Sequence, residues 1–192
     1  GWPKKTNDLK TYHPTDVLET AYDILFFWVA RMILMSQFLI GDIPFKTVYL
    51  HGLVRDEKNR KISKSLGNNI DPIDIIKEYG ADAVRMAMII GTSPGNDSKV
   101  SPEKFKACKH FANKIWNVAR FVLMNCEDYN FKTKPNLTAS DKKKLNELEK
   151  FKKEITKLIE SFKFYTAAEK LYHYFWHTFA DKIIEANKPR LK

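Results

Sequence analysis

The chain has 192 residues, of which 44% are hydrophobic and 29% are charged. This composition excludes a wholly disordered polypeptide and provides enough apolar side chains for one sizeable core or two small ones. The formal net charge is +10, but residues 1–100 carry 13 Lys+Arg and 12 Asp+Glu, whereas residues 101–192 carry 20 and 11. A basic excess concentrated in one half suits a polyanion such as nucleic acid, although a lysine-rich solvated helix surface would give the same numbers.

In the first half, two short β-like runs flank a long apolar segment. Residues 15–20 and 47–54 are predicted strands, each bounded by Pro, Gly or charged turn residues. Residues 22–40 between them are mostly apolar, as expected of a helix packed on a sheet. Strand, helix and strand in this order predict the βαβ unit of a parallel sheet, so the expected fold class of residues 1–100 is α/β.

Two helices are predicted to follow the second strand. Asp71 and Pro72 combine a capping side chain with a proline suited to the first turn, which predicts a helix start at this point. Gly80 is predicted to end that helix, and residues 81–90 are predicted to form a further one.

The second half, residues 101–192, reads as wholly helical. Ser101 and Pro102 form another cap-and-proline start, and apolar side chains then recur at helical spacing in three successive stretches. These stretches lie within residues 105–122, 145–162 and 168–183. The polar residues 127–139 are predicted to be a linker. Three amphipathic helices in succession predict an all-α bundle.

The remaining sequence signals argue against several other classes of protein. The longest apolar stretch, residues 24–35, is interrupted by an arginine and is expected to be too short and too charged to span a bilayer. No signal peptide is visible, and Cys108 and Cys126 form no CxxC pair, so free thiols in a reducing cytoplasm are expected. His173 and His177 have a possible metal spacing, but no neighbouring acid or thiol completes a site, so no metal centre is expected.

The segment with the clearest chemical content is residues 50–69, LHGLVRDEKNRKISKSLGNN. A predicted strand ends at His51, a charged hairpin turns through residues 56–60, and the string KISKS of residues 61–65 follows. Two lysines and two serines in a loop before a helix could cradle a triphosphate through positive charge and hydrogen-bond donors. On charge alone, an ordinary basic surface turn explains the same residues.

The wider string resembles a known signature. KISKS, preceded by HGLVRDEKNR and followed by LGN, closely resembles the KMSKS motif of class I aminoacyl-tRNA synthetases, with Ile62 in place of the usual methionine. Three further passages are similar to the valyl branch of that family: residues 22–32 (YDILFFWVARM), residues 109–122 with FANKIWNVARFV, and residues 162–181 with FWH. The resemblance covers essentially the whole chain in the family's order.

This resemblance implies a reaction and assigns residues to it. The carboxylate of L-valine attacks the α-phosphate of ATP, bound with Mg²⁺, and the resulting valyl-adenylate esterifies tRNA(Val). Because a carboxylate is already a competent nucleophile, catalysis is expected to rest on positioning and on neutralisation of phosphate charge. The resemblance implies that Lys64 is a catalytic residue that contacts the phosphates, with help from Lys61, and that Ser63 and Ser65 shape the loop or donate to phosphate. It places the adenine near Ile62, His51 and Gly52. It makes Asp23 the acceptor for a ribose hydroxyl and Trp28 a wall of the valine pocket.

The resemblance also implies an organisation for the chain. Residues 1–100 correspond to the second half of a Rossmann-type catalytic domain, and residues 101–192 to part of a helical anticodon-binding domain. The HIGH motif and the editing domain of the family have no counterpart in the sequence, so the chain is expected to be a fragment that is inactive alone. A cytoplasmic monomer is expected. Two alternatives remain open, namely a fragment of an isoleucyl-tRNA synthetase and a non-catalytic tRNA-binding module.

Overall fold

The structure is a computed structural model that describes residues 1–127, 132 and 135–191, without the side chains of Lys64 and Leu191. The chain forms two compact units. The first consists of Gly1–Lys61 and Thr92–Lys99, and the second of Ile62–Gly91 and Val100–Lys192.

The first unit is built around a parallel strand pair. Its elements in chain order are α1 (Asn7–Tyr12), β1 (Thr15–Ala21), a 3₁₀ turn (Tyr22–Ile24), a π-helical turn (Leu25–Val29), α2 (Ala30–Ile40), β2 (Phe45–His51), β3 (Val54–Arg55) and β4 (Ser98–Lys99). β1 pairs with β2 in parallel, with Thr15 opposite Phe45 and Ala21 opposite His51. Gly41, in a left-handed conformation, ends α2 and lets the chain return to β2. The predicted βαβ unit is therefore confirmed.

The connecting helical segment Tyr22–Ile40 is apolar, yet most of its large side chains are exposed. The helical segment extends on both sides of the apolar stretch of residues 24–35, and by its 19 residues and its composition alone it is long and apolar enough to cross a membrane. Its exposed large apolar side chains include Phe26, Phe27, Trp28, Leu34, Met35 and Phe38. Because the strands before and after the segment pair with each other, the segment is the crossover of the βαβ unit. We therefore expect its exposed face to be covered by protein, as helices flanking parallel sheets are.

The second predicted strand is divided in the structure. β2 ends at His51, and the chain turns at Gly52 before entering β3, which pairs in parallel with β4 in a separate two-stranded sheet. The turn occurs where the chain passes very close to the backbone of Asn96 and Asp97. Residues 47–54 therefore do not form one strand, because the two parts pair with different partners.

The second unit is helical. Its elements are a 3₁₀ turn (Lys64–Leu66), α3 (Pro72–Tyr79), α4 (Ala81–Ile89), α5 (Pro102–Met124), α6 (Ala139–Glu160), α7 (Phe164–His173), a π-helical stretch (Tyr174–Ile184), α8 (Glu185–Asn187) and a terminal 3₁₀ turn (Lys188–Leu191). The predicted caps are confirmed, since Asp71 accepts a hydrogen bond from the amide of Ile73 and Ser101 accepts one from the amide of Lys104. Thr138 and Asp141 form a reciprocal capping box at the start of α6.

The helices of this unit share an apolar core with an aromatic centre. Phe111 of α5 is buried, and its ring lies 4.7 Å from that of Tyr172 and 6.2 Å from that of Trp176. α3 and α4 also pack against α5. For this reason residues 62–91, which the sequence assigns to the strand-containing half, group with the helices in the structure. The predicted linker, residues 127–139, lies partly outside the described residues, and α6 already begins at Ala139.

The two cysteines are not joined in a disulfide, whereas two of the histidines stack on each other. Cys108 is buried and Cys126 is half-buried, and both are free thiols. The rings of His173 and His177 stack with their centroids 5.6 Å apart. Within the described residues, no group of three or more potential metal-binding side chains is assembled.

Candidate functional site

The KISKS segment begins at the end of a short hairpin in the first unit. The amide of Asp56 donates to the carbonyl of Arg60 at 3.0 Å, and the amide of Arg60 donates back to the Asp56 side chain at 2.8 Å. Asn59, a residue that tolerates the left-handed region, occupies the turn with φ 63°. Arg55 and Lys61 face each other as an antiparallel bridge across the base of the turn. The predicted charged hairpin is therefore confirmed.

Two of the predicted site residues meet in this unit. The ammonium of Lys61 lies 3.1 Å from a carboxylate oxygen of Asp23. Asp23 sits in the 3₁₀ turn directly after β1, at the carboxyl end of the strand, which is where ligands bind in parallel α/β sheets. Both side chains are partly exposed, at 54% for Lys61 and 32% for Asp23. An ion pair this accessible to water contributes little stability, so a ligand can displace it at low cost.

His51 and Gly52 lie at the same edge of the sheet as Asp23. His51, the last residue of β2, is opposite Ala21, the last residue of β1. The ring nitrogen Nδ1 of His51 lies 2.7 Å from the carbonyl oxygen of Gly52, to which it donates, and Nε2 lies 3.4 Å from a carboxylate oxygen of Glu19. Position 52 requires a glycine for steric reasons, because a Cβ there would come within 1.8 Å of the carbonyl oxygen of Asn96.

The structure adds two residues that the sequence did not single out, Arg55 and Asp97. The amide of Leu53 donates to one carboxylate oxygen of Asp97 at 2.8 Å, and Nε of Arg55 donates to the other. Arg55 also donates to the carbonyl of Asn59 in the hairpin turn, at 3.1 Å. The Leu53 amide and then the Arg55 side chain hold the pKa of Asp97 below its usual value. No sequence signal marks Asp97, since its partners lie more than 40 residues earlier in the chain.

The remainder of the KISKS loop, Ile62 to Ser65, belongs to the second unit. The amide of Ser63 donates to the side-chain oxygen of Asn68 at 3.0 Å, and the Ser63 hydroxyl accepts from the amide of Leu66 at 3.3 Å. The hydroxyls of Ser63 and Ser65 are 3.1 Å apart. These bonds close the 3₁₀ turn, so Ser63 shapes the loop. Ile62 is half-buried. The side chain of Lys64 lies outside the described part of the structure.

Trp28, the predicted wall of the amino-acid pocket, lies in the π-helical turn Leu25–Val29. Its side chain is 52% exposed, whereas its neighbour Val29 is fully buried. Single π-helical turns occur frequently at functional sites because they redirect side chains. The pocket role of Trp28 remains a prediction.

In the second unit, the passages that resemble the valyl branch line a common groove. The groove has a volume of about 740 Å³ between α5 and the helical stretch from Tyr174 to Asn187. The ammonium of Lys114 lies 2.7 Å from a carboxylate oxygen of Asp181 and 4.2 Å from the centroid of the Trp176 ring. The bond to Lys114 lowers the pKa of Asp181. The groove therefore combines an aromatic face with a paired charge.

The basic excess of the second half has a surface counterpart on α6. Five exposed lysines project from one side of this helix, within an arc of about 100° and over about 22 Å of its length. They are Lys142, Lys143, Lys150, Lys153 and Lys157, which we call the α6 lysine surface. The opposite side of α6 carries the buried Ile155. Lysines spaced in this way present a row of positive charge suited to a phosphate backbone.

Comparisons with known proteins agree with this picture. Residues 1–101 match the family described as tRNA synthetases class I (I, L, M and V), and residues 141–192 match the anticodon-binding domain of tRNA ligases. The chain is 53% identical over its whole length to the valine--tRNA ligase of Thermotoga maritima and 48% identical to that of Aquifex aeolicus. It spans 22% and 17% of the lengths of these two relatives.

Solved structures show the same fold at lower identity. Mycobacterium tuberculosis methionyl-tRNA synthetase, solved with methionyl-adenylate, matches 90% of this chain with a TM-score of 0.72 at 22% identity, over 35% of its own length. The LeuRS–tRNA–LeuAMS complex of Agrobacterium radiobacter K84 matches 82% of this chain with a TM-score of 0.70 at 23% identity, over 21% of its own chain. With the family match covering more than half of its residues, the chain belongs to the class I tRNA synthetases of the I, L, M and V group.

Proposed function

We propose that this chain is part of a valine--tRNA ligase, which activates L-valine with ATP and transfers it to tRNA(Val). The observation that carries the proposal is the 53% identity, over all 192 residues, to a protein of that name. The contact between Lys61 and Asp23 supports it, because the resemblance assigns both residues to one nucleotide site. In this proposal, residues 1–100 supply the second half of a Rossmann-type catalytic domain and residues 101–192 part of the anticodon-binding domain of a cytoplasmic monomer.

The proposed mechanism uses these residues for binding and charge neutralisation. ATP brings its ribose hydroxyl to the Asp23 carboxylate and so releases Lys61 from the ion pair. Lys61 and Lys64 then neutralise phosphate charge, which grows on the departing pyrophosphate as the valine carboxylate attacks the α-phosphate. Mg²⁺ would enter with the ATP phosphates and supply further positive charge there. His51 and Gly52 at the end of β2 border the adenine, and Ser63 keeps the loop folded.

Valine is proposed over isoleucine because of the curated relatives. The relatives that match at 46–53% identity are named valine--tRNA ligases. Trp28 is proposed to limit the size of the amino-acid pocket. Pyrophosphate exchange by the full-length polypeptide, measured with valine and with isoleucine in turn, tests this assignment. Faster exchange with isoleucine would replace the valyl proposal by the isoleucyl one.

The 192-residue chain alone is expected to show no valine-dependent pyrophosphate exchange above background. It carries the KISKS lysines, but the strands of its described residues form only two separate parallel pairs, β1 with β2 and β3 with β4, and a phosphate site needs charge from both sides to stabilise the transition state. The measurement is exchange by the purified chain, with the full-length polypeptide as positive control. Exchange by the chain alone at a rate near that of the control would contradict the proposed division of the site.

A non-catalytic tRNA-binding role is the second candidate, and the α6 lysine surface favours it. We expect the chain to bind tRNA(Val) with an affinity that falls steeply with salt, because each phosphate contact releases counterions. Replacing Lys150, Lys153 and Lys157 by alanine is expected to lower the salt slope by about 1 for each lysine that contacts phosphate. Filter binding between low and physiological salt measures this slope.

The matched control replaces Lys4, Lys5 and Lys10 of the first unit, which are also exposed, by alanine. Both triple variants lose the same net charge, and circular dichroism checks that both are folded. Equal losses in the two variants would show a general charge effect and not a surface on α6. Binding that does not change with salt would refute the phosphate contact itself.

A further inference from the structure

We propose that Asp97 is a positioning residue that holds the hairpin of residues 55–61, and with it Lys61, in place for the nucleotide site. For its catalytic readout this inference rests on the proposed function. The carboxylate of Asp97 bonds to Leu53 and Arg55, neither of which is a predicted ligand-binding residue. It acts through Leu53 and Arg55, two residues in the segment that leads from β2 into the hairpin.

The first step is the fixed position of Asp97 beside the strand end. The amide of Gly95 donates to the carbonyl of Leu50 at 2.9 Å, and the amide of Ser98 donates to the carbonyl of Leu53 at 3.0 Å. These bonds bracket Asp97 along its own segment. The close approach of this segment to Gly52 leaves no room for a side chain between the two backbones. Asp97 therefore has little freedom to move relative to the end of β2.

The second step is that both oxygens of the Asp97 carboxylate accept hydrogen bonds. One oxygen accepts from the amide of Leu53 at 2.8 Å, and the other accepts from Nε of Arg55. Both side chains are half-buried, since Asp97 is 20% exposed and Arg55 is 29% exposed. Charge-assisted hydrogen bonds shielded from water are stronger than neutral ones. The exposed ion pair of Asp16 and Lys46 in the same unit lacks this shielding.

The third step links Arg55 to the catalytic lysine. Arg55 also donates to the hairpin, through Nη1 to the carbonyl of Asn59 at 3.1 Å. Its backbone bridges that of Lys61, whose ammonium reaches Asp23 at 3.1 Å. Arg55 thus connects the carboxylate of Asp97 to the tip of the hairpin through its guanidinium and to the base of the hairpin through its backbone.

The test compares Asp97→Asn with Asp16→Asn in the full-length polypeptide. Asparagine keeps an oxygen for the Leu53 amide but removes the charge that holds Arg55. We expect amide hydrogen exchange of residues 54–61 to accelerate about tenfold or more in Asp97→Asn, as loss of a charge-assisted bond implies. Exchange in β1 and β2 should stay unchanged, and Asp16→Asn should behave as the wild type. Unchanged hairpin exchange, or equal acceleration throughout the unit, would overturn the proposal.

Kinetics give the second readout. Pyrophosphate exchange by Asp97→Asn is expected to lose about tenfold in kcat, with KM for valine changed by less than about twofold, because a displaced Lys61 weakens only transition-state contacts. An unchanged kcat, or a KM that rises by the same factor, would count against positioning. If Asp97→Asn fails to fold, Arg55→Lys should show the same loss of kcat without a matching rise in KM, because lysine keeps the charge but loses the planar guanidinium that donates to two acceptors. Failure of the wild type to exchange with valine would refute the proposed function and leave the hydrogen-exchange result standing.

Discussion

Lys64→Ala in the full-length polypeptide is expected to lower kcat for valine-dependent pyrophosphate exchange by roughly 10²–10³-fold, by analogy with removal of one transition-state donor. Negative charge builds on the departing pyrophosphate during adenylation, and an ammonium placed beside it stabilises the transition state more than the ground state. KM for valine should change much less, because the proposed amino-acid pocket, at Trp28, is a different part of the site from the KISKS loop. Steady-state exchange kinetics measure both constants.

Two further variants sharpen this prediction. Lys64→Arg should restore only part of the rate, since a planar guanidinium does not reproduce a compact ammonium. Lys58→Ala is the matched control, because Lys58 is exposed in the hairpin turn only six residues earlier, and surface substitutions of this kind usually change stability little. Thermal melting checks that all variants fold. Similar small losses in Lys58→Ala and Lys64→Ala would assign the KISKS lysines to an ordinary basic turn.

Gly52→Ala is expected to produce the second largest effect, a loss of about 3 kcal/mol in folding stability of the first unit, at the upper end of the usual cost of overpacking. A Cβ there would lie 1.8 Å from the carbonyl oxygen and 2.1 Å from the carbonyl carbon of Asn96. Both atoms belong to the backbone and cannot rotate away as a side chain would. The two segments must separate, and the bond from the Leu53 amide to Asp97 is expected to break with them. Denaturant unfolding measures the loss.

Gly41→Ala provides the comparison for this variant. Gly41 has φ +80°, and a Cβ there would meet nothing within 4 Å. Its replacement therefore costs only the backbone strain of a left-handed residue, about 1–2 kcal/mol. A loss in Gly52→Ala no larger than that in Gly41→Ala would mean that the backbones separate freely, and the tight crossing would then have no energetic role.

The parts of the fold that the sequence predicted are those coded locally. The caps at Asp71 and Ser101 and the hairpin at residues 56–60 depend on neighbours within five residues, and all three are confirmed. The parallel pairing of β1 with β2 also followed from local signals, because a strand–helix–strand order leaves few alternatives. Interactions between residues close in sequence were therefore sufficient to predict these helix starts, the hairpin and the parallel pairing of β1 with β2.

The unpredicted features depend on contacts between distant parts of the chain. β3 and β4 are two residues each, too short to show alternation, and they pair across 44 positions. Asp97 sits in a loop without a motif, and its role becomes visible only when Leu53 is placed beside it. The division of residues 47–54 between two sheets has the same origin. For the candidate site, the family resemblance assigned Lys61 to the phosphates and Asp23 to the ribose, but it did not predict the ion pair between them.

The ion pair between Lys61 and Asp23 makes the arrival of a nucleotide an exchange reaction within the proposed site. A ribose hydroxyl that takes the Asp23 carboxylate displaces a cation that the chain itself supplied. In the proposed site, the same event that fills the sugar position detaches the Lys61 ammonium from Asp23, so ribose binding at one end of the ligand and charge neutralisation at the other are linked thermodynamically. A nucleoside without phosphates would break the pair at the same low cost but offer the ammonium no phosphate in exchange, whereas ATP would offer its own. The contribution of Lys61 to nucleotide affinity would then depend on the phosphates and not on the sugar.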